Sequence, residues 1–142
     1  MNIAIGSDHG GFALKELLIK VLTERGETVA DVGCFSAVSS DYPDFAEAVC
    51  RAVLDGTAER GILICGTGIG MAMAANRHRG IRAALCHDEY TARLSREHNN
   101  ANVLCLGARV IGPGVAEGIV TVWLRAGFDG GRHCLRVAKF SN

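Results

Sequence analysis

The sequence predicts an α/β fold in which helices cover both faces of a parallel, five-stranded sheet. Two observations carry that expectation. Five short apolar runs alternate with longer stripes whose apolar residues recur at helical spacing. The run Gly61-Ile62-Leu63-Ile64-Cys65 is continuously apolar, as a strand covered on both faces must be. Repeated strand–helix units make the strands parallel, with the helices sandwiching the sheet.

Each element has its own signal. Ile3-Ala4-Ile5 is the first strand, ending at Gly6-Ser7. Phe12, Leu14, Leu17, Leu18, Val21 and Leu22 mark an amphipathic helix that stops at Gly26. Thr28 to Gly33 reads as the second strand. Asp41-Tyr42-Pro43-Asp44 has turn chemistry, with Asp44 as N-cap of a helix through Phe45, Val49 and Val53. After the third strand, Gly66 to Gly70 form a turn that opens a helix through Met71, Met73, Ala74 and Ala75. Ile81 to Cys86 is the fourth strand, and Asp88 caps a helix reaching about His98. Val103 to Gly107 is the fifth strand. Val115, Ile119, Val122, Trp123 and Ala126 mark the next helix, and the basic tail from Gly130 a short last one. No repeat or linker interrupts residues 1–142, so one domain is expected.

Composition narrows the function classes. The 142 residues carry 15 basic and 15 acidic side chains, a net charge of zero, and 49% hydrophobic residues, enough for a substantial core. That balance argues against a nucleic-acid-coating surface or an electrostatic membrane anchor. No apolar run approaches the roughly 18–20 residues of a bilayer span. The start lacks the pattern of an export signal, so a soluble, cytoplasmic protein is expected. The six cysteines form no C-x-x-C pair, so neither a zinc knuckle nor a thioredoxin-type site is suggested. Cys50, Cys65, Cys86 and Cys105 stand in apolar company, where a free cysteine is ordinarily a small hydrophobe. Without export, disulfides are the poorer reading. No H-x-x-x-H pattern or carboxylate cluster suggests a metal.

Ligands of open α/β sheets bind beyond the carboxyl ends of the strands. Ser7-Asp8-His9-Gly10-Gly11 follows the first strand, Cys65 to Gly70 the third, and His87-Asp88 the fourth. His98-Asn99-Asn100-Ala101-Asn102 precedes the fifth and is expected at the same edge. Gly66-Thr67-Gly68-Ile69-Gly70 is not the dinucleotide fingerprint, which has other spacing and follows the first strand. It is either a tight turn or a set of N–H donors facing an anion at a helix N-terminus. Cys65 directly precedes those donors, whose field favours a thiolate that could act as base or as nucleophile. His98 reads either as a helix C-terminal residue or as a functional group. Asp8 reads as a cap or an acid, and His9 as a loop residue or a ligand contact. Arg132 and Arg136, four apart, share a helix face and either grip a phosphate or stay solvated.

Several of these segments, in this order, resemble the type B ribose-5-phosphate isomerases of the ribose/galactose-phosphate isomerase family. The residues are Gly6-Ser7-Asp8-His9-Gly10-Gly11, Asp41-Tyr42-Pro43, Ile64 to Gly70, Ala74-Ala75-Asn76, Ser95-Arg96-Glu97-His98-Asn99, Gly107 to Gly112, and Gly130-Gly131-Arg132-His133 with Arg136. The resemblance implies a doubly wound, Rossmann-like, three-layer αβα sandwich, active without metal or organic cofactor. It implies an aldose–ketose isomerase acting on ribose 5-phosphate and ribulose 5-phosphate. By motif position, Cys65 would be the base between C1 and C2, His98 the ring-opening acid, and Asp8 its support at the ring oxygen. Thr67 and the N–H groups of Gly66, Gly68, Ile69 and Gly70 would hold the enediolate. His9, Arg109, Arg132 and Arg136 would surround the phosphate, and Asn99 and Tyr42 would contact the sugar. A subgroup uses a glutamate slightly downstream of the cysteine position; Met71 stands in that region here.

The resemblance also implies a homodimer, or a tetramer of two dimers, with sites at the dimer interface. A 15.0 kDa domain has little spare chain to close a polar pocket. At least one of His98, Arg109, Arg132 and Arg136 is therefore expected from a neighbour. Three other functions stay open at this stage: an isomerase of six-carbon allose or galactose 6-phosphate, a thiol hydrolase with Cys65 as nucleophile, and a nucleotide-binding module.

Overall fold

The computed structural model describes residues 1–141; Asn142, the last residue of the expected domain, lies outside them. The elements run β1 (Asn2–Ser7), α1 (Phe12–Glu24), β2 (Thr28–Asp31), α2 (Tyr42–Leu54), β3 (Arg60–Cys65), α3 (Ile69–Ala75), β4 (Ala83–Leu85), α4 (Glu89–Glu97), β5 (Val103–Gly107), α5 (Pro113–Arg125) and α6 (Arg132–Ala138). The five strands are all parallel, in the order β2-β1-β3-β5-β4.

Alternation along the central strands builds two cores. Ile3, Ile5, Ile62, Ile64, Leu104 and Leu106 face α1, α4 and α5, where they meet Leu18, Ala92 and Trp123. Ala4, Leu63, Cys65, Val103 and Cys105 face α2 and α3, against Val49, Cys50, Met71 and Ala75. The sheet is thus the middle of three layers. Each large apolar side chain fully withdrawn from water contributes ~1.5–3 kcal/mol. The strand order turns outward in both directions from the pair β1 and β3, which places a switch point beside Ser7 and Cys65. Among the described residues no helix is long and apolar enough to cross a membrane.

Local chemistry moves three boundaries. Asp41, not Asp44, occupies the N-cap of α2, and Pro43 sits in the first turn, where a missing N–H costs nothing. Asp44 lies inside that turn, where the helix dipole favours a carboxylate. β2 stops at Asp31 because Asp31 Oδ1 accepts the Gly33 N–H at 3.0 Å and bends the chain. β4 spans only residues 83–85, not 81–86. The Arg82 N–H goes to Asn102 Oδ1 (2.8 Å), and Asn76 bonds both the N–H and the carbonyl of Ala83, covering the free edge. The Asp88 cap is present: its carboxylate accepts the Thr91 N–H at 2.7 Å.

Candidate active site

At the carboxyl edge, β1 and β3 deliver Asp8 and Cys65 side by side. Asp8 is buried, and its Oδ1 accepts the Gly11 N–H at 3.1 Å, so it does hold the entry to α1 as a capping group would. Cys65 is buried at the end of β3, and its sulfur accepts the Gly68 N–H at 3.1 Å. That donor is available because Gly68 takes φ +80°, a left-handed conformation that turns the backbone into α3. Thr67 is exposed, with its Oγ1 accepting the Ile69 N–H at 3.3 Å. The Tyr42 ring lies on the turn: a Cβ at Gly70 would stand 2.5 Å from it, so only glycine allows that approach. The chain after β5 pairs back on the same turn through Ala108 N–H to the Cys65 carbonyl and Arg109 N–H to the Gly66 carbonyl, both 2.9 Å. The Arg109 guanidinium therefore lies over Gly66 and Gly10. His9 accepts the Ser40 N–H at Nδ1 (3.1 Å), which leaves Nε2 to carry the proton of the neutral ring and donate outward.

The other buried cysteines are in different surroundings and bond differently. Burial, and then Glu47, push the Cys50 thiol up to about 12. Cys105, wholly enclosed, stands well above the ordinary thiol value because of its burial, and Cys86 is raised for the same reason. Cys50 and Cys86 donate weakly to backbone carbonyls, whereas Cys65 accepts a backbone N–H. All six cysteines are free.

His98 does not join this edge. α4 runs back antiparallel to the strands, so His98, its C-cap, and Asn99 lie where β5 begins. β3 alone spans ~16 Å from Arg60 to Cys65 at about 3.3 Å per residue. The expectation that His98–Asn102 shares the edge with Cys65 is overturned by the connectivity of parallel strands: the residue entering a strand sits at its amino end. α6 docks at this far edge. The Asp129 N–H bonds the Glu97 carbonyl at 2.9 Å, and His133 stacks on His98 with ring centroids 4.2 Å apart. Arg132 and Arg136 share the exposed face of α6, while His133 and Val137, at the same four-residue spacing, share its buried face. Burial, then His98, Arg132 and Arg136, hold the His133 imidazole below its ordinary value. A groove of about 460 Å³ runs beside β4, with Arg82, Asn99 and Phe140 in its wall.

His133 and Ser40 are contacts that the sequence reading misses. The i, i+4 pairing of residue 133 with Val137 could have flagged His133 as inward-facing; nothing local flags Ser40. Among the described residues, His98, Asp129 and His133 are the one set close enough to share a metal ion. Their geometry does not suit one: the rings lie 12° from parallel, so no ion can lie in the plane of both.

Known proteins match the chain along nearly its whole length. A family model described as Ribose/Galactose Isomerase matches residues 3–140. The chain is 50% identical over 136 residues to ribose-5-phosphate isomerase B of Escherichia coli, covering 96% of this chain and 91% of that one. It is 46% identical over 140 residues to a D-erythrulose-4-phosphate isomerase of Pectobacterium atrosepticum, covering 98% and 92%. The solved ribose-5-phosphate isomerase B of Clostridium thermocellum superposes with a TM-score of 0.98 at 53% identity, covering 99% and 95%. Matched by that family model from residue 3 to residue 140, and half identical to a ribose-5-phosphate isomerase B along nearly its whole length, this chain belongs to the ribose/galactose isomerase family.

Proposed function

We propose that the chain is a single sugar-phosphate isomerase domain that interconverts ribose 5-phosphate and ribulose 5-phosphate through an enediolate. The observation that carries this is the Cys65 sulfur, held 3.1 Å from a backbone N–H in a turn of glycines, within a family of isomerases. Cys65 moves the proton between C1 and C2. The N–H groups of Gly66 to Gly70 and Thr67 hold the developing oxyanion, where one good donor is worth ~3–4 kcal/mol. Asp8 supports proton transfer at the ring oxygen, and Tyr42 contacts the sugar. His9, through Nε2, and Arg109 bind the phosphate.

His98, Asn99, Arg132 and Arg136 complete the site from a second copy, His98 as ring-opening acid and the arginines on the phosphate. Supporting this is the separation of the two edges within one chain. Each edge also carries exposed apolar residues: Ile69 and Met73 on α3 beside the glycine turn, and Leu135 on α6 between the two arginines. The assembly is a homodimer, or a tetramer of two such dimers.

A second reading concerns chain length of the sugar. The relative named for a four-carbon ketose phosphate is 46% identical, and six-carbon substrates are a further alternative. Relatives named for ribose 5-phosphate at 50% and 53% favour five carbons. The test is turnover in deuterated water with four-, five- and six-carbon sugar phosphates. Deuterium entering at the carbon that exchanges its proton, with the highest kcat/KM for ribose 5-phosphate, is expected. A covalent Cys65 adduct with hydrolysis and no deuterium incorporation would sink the isomerase reading.

A further inference from the structure

Lys15 is a lysine in the interior of α1 with none of its side chain exposed. Its Nζ lies 2.6 Å from Asp31 Oδ2 at the end of β2 and 3.2 Å from Glu16. The rings of Phe12 and Phe35 stand 5.3 and 5.6 Å from it. None of the proposed chemistry uses this ammonium. With the ammonium buried and Asp31 only partly so, the pair is a poor source of stability, because desolvating the lysine offsets most of the attraction. What it does supply is a fixed geometry.

That geometry leads to the site. Asp31 uses its other oxygen to accept the Gly33 N–H at 3.0 Å. The Gly33 carbonyl accepts the Ser7 N–H, and the Cys34 N–H donates to the Ser7 carbonyl, both at 2.7 Å. Ser7 is followed by Asp8 and His9, and the Ser40 N–H closes the stretch on His9 Nδ1 at 3.1 Å. Residues 32–41 have no helix or strand of their own, yet both ends are tied to the end of β1. Tyr42, which lies on Gly70, follows directly.

We propose that the Lys15–Asp31 pair, with its ammonium buried, is a positioning device that straps residues 32–41 against the end of β1 and so sets His9 and Tyr42 for the sugar phosphate. The inference rests on the substrate roles proposed above for those two residues. Lys15 and Asp31 touch no substrate; they act through Gly33, Cys34 and Ser40.

The test compares Lys15→Met, which keeps the side-chain bulk without the charge, with Leu18→Ala, a core change on the same helix. Lys15→Met should raise KM for ribose 5-phosphate about tenfold while kcat stays within about threefold. Amide exchange at Gly33, Cys34 and Ser40 should quicken, with the β3 amides unchanged. Leu18→Ala should lower Tm but leave KM and the exchange of residues 33–40 as in the wild type. Asp31→Asn, which retains an acceptor for the Gly33 N–H, should give a smaller KM rise and stands in if Lys15→Met does not fold. An unchanged KM in the folded variant, whatever its Tm, overturns the proposal. If the wild type does not convert ribose 5-phosphate, the reaction reading fails instead. The exchange measurement then decides the strap, with unchanged protection at residues 33–40 overturning it.

Discussion

The two ends of the sheet solve opposite electrostatic problems. At the carboxyl edge, backbone N–H groups of the Gly66–Gly70 turn are the donors at hand: that of Gly68 goes to the sulfur of Cys65 and that of Ile69 to Thr67 Oγ1. At the amino edge carbonyls at the end of α5 and before β5 are the groups to be met, and arginines meet them. Arg60 donates to the carbonyls of Trp123 and Leu124, and Arg96 to those of Ala126 and Ala101. Arg60 and Arg96 both lie against the Trp123 ring. Burial, then Arg60 and Arg82, bring the Arg96 guanidinium down to about 10, still charged at neutral pH. One edge is suited to stabilising a small developing anion with main-chain donors. The other presents imidazoles and cations, suited to protonating a ring oxygen and gripping a phosphate. In the proposed reading each edge supplies one part of the isomerase site.

The largest expected effect tests whether the two edges work together across subunits. Cys65→Ala should lower kcat by about 10²–10⁴-fold, as loss of a general base does, with the protein folded and still binding sugar phosphate. His98→Ala should be similarly impaired on the ring-closed substrate. When the two variants are unfolded and refolded together, about half of the dimers are hybrids with one intact site of two, and activity should return to roughly a quarter of wild type. Hybrids that form and stay inactive would place the complete site within one chain.

A smaller effect sharpens the role of the main-chain donors. Gly68→Ala forces a side chain into a left-handed residue, with its Cβ 2.5 Å from Leu85 and 2.9 Å from the Leu106 backbone. Its cost should be about 2–4 kcal/mol in denaturant unfolding, with kcat reduced because the N–H on Cys65 moves. Gly127→Ala, with nothing near its Cβ and no left-handed φ, should stay within about 0.5 kcal/mol of wild type. Equal costs at both positions would contradict the close packing of the turn.

The smallest effect belongs to the amino edge. His133 is held below the ordinary value of 6.5 in the folded protein, so the unfolded chain takes up its proton at higher pH. Stability is full above that ordinary value and is lost as pH falls through it toward the folded one. Tm should therefore decline between about pH 7.5 and 5.5, and His133→Gln should flatten that slope. A slope unchanged in His133→Gln would assign it to other groups.

Much of this was legible in the residues. Strand and helix periods, the glycines after Cys65 and the Asp88 cap depend on neighbours a few positions away, so their order and most of their boundaries follow from local chemistry. The misplacement of His98 also had a local remedy, since a residue that enters a parallel strand must sit at its amino end. What the sequence by itself determined is an α/β sheet covered on both faces, with Asp8 and Cys65 at the ends of its first and third strands. Only the tertiary structure decided that Lys15 meets Asp31, that His133 stacks on His98, that Ser40 fixes the His9 ring, and that Asn76 closes the edge of β4. Those contacts join segments whose approach is set by strand order and layer packing, and no period along the chain encodes which two surfaces will meet.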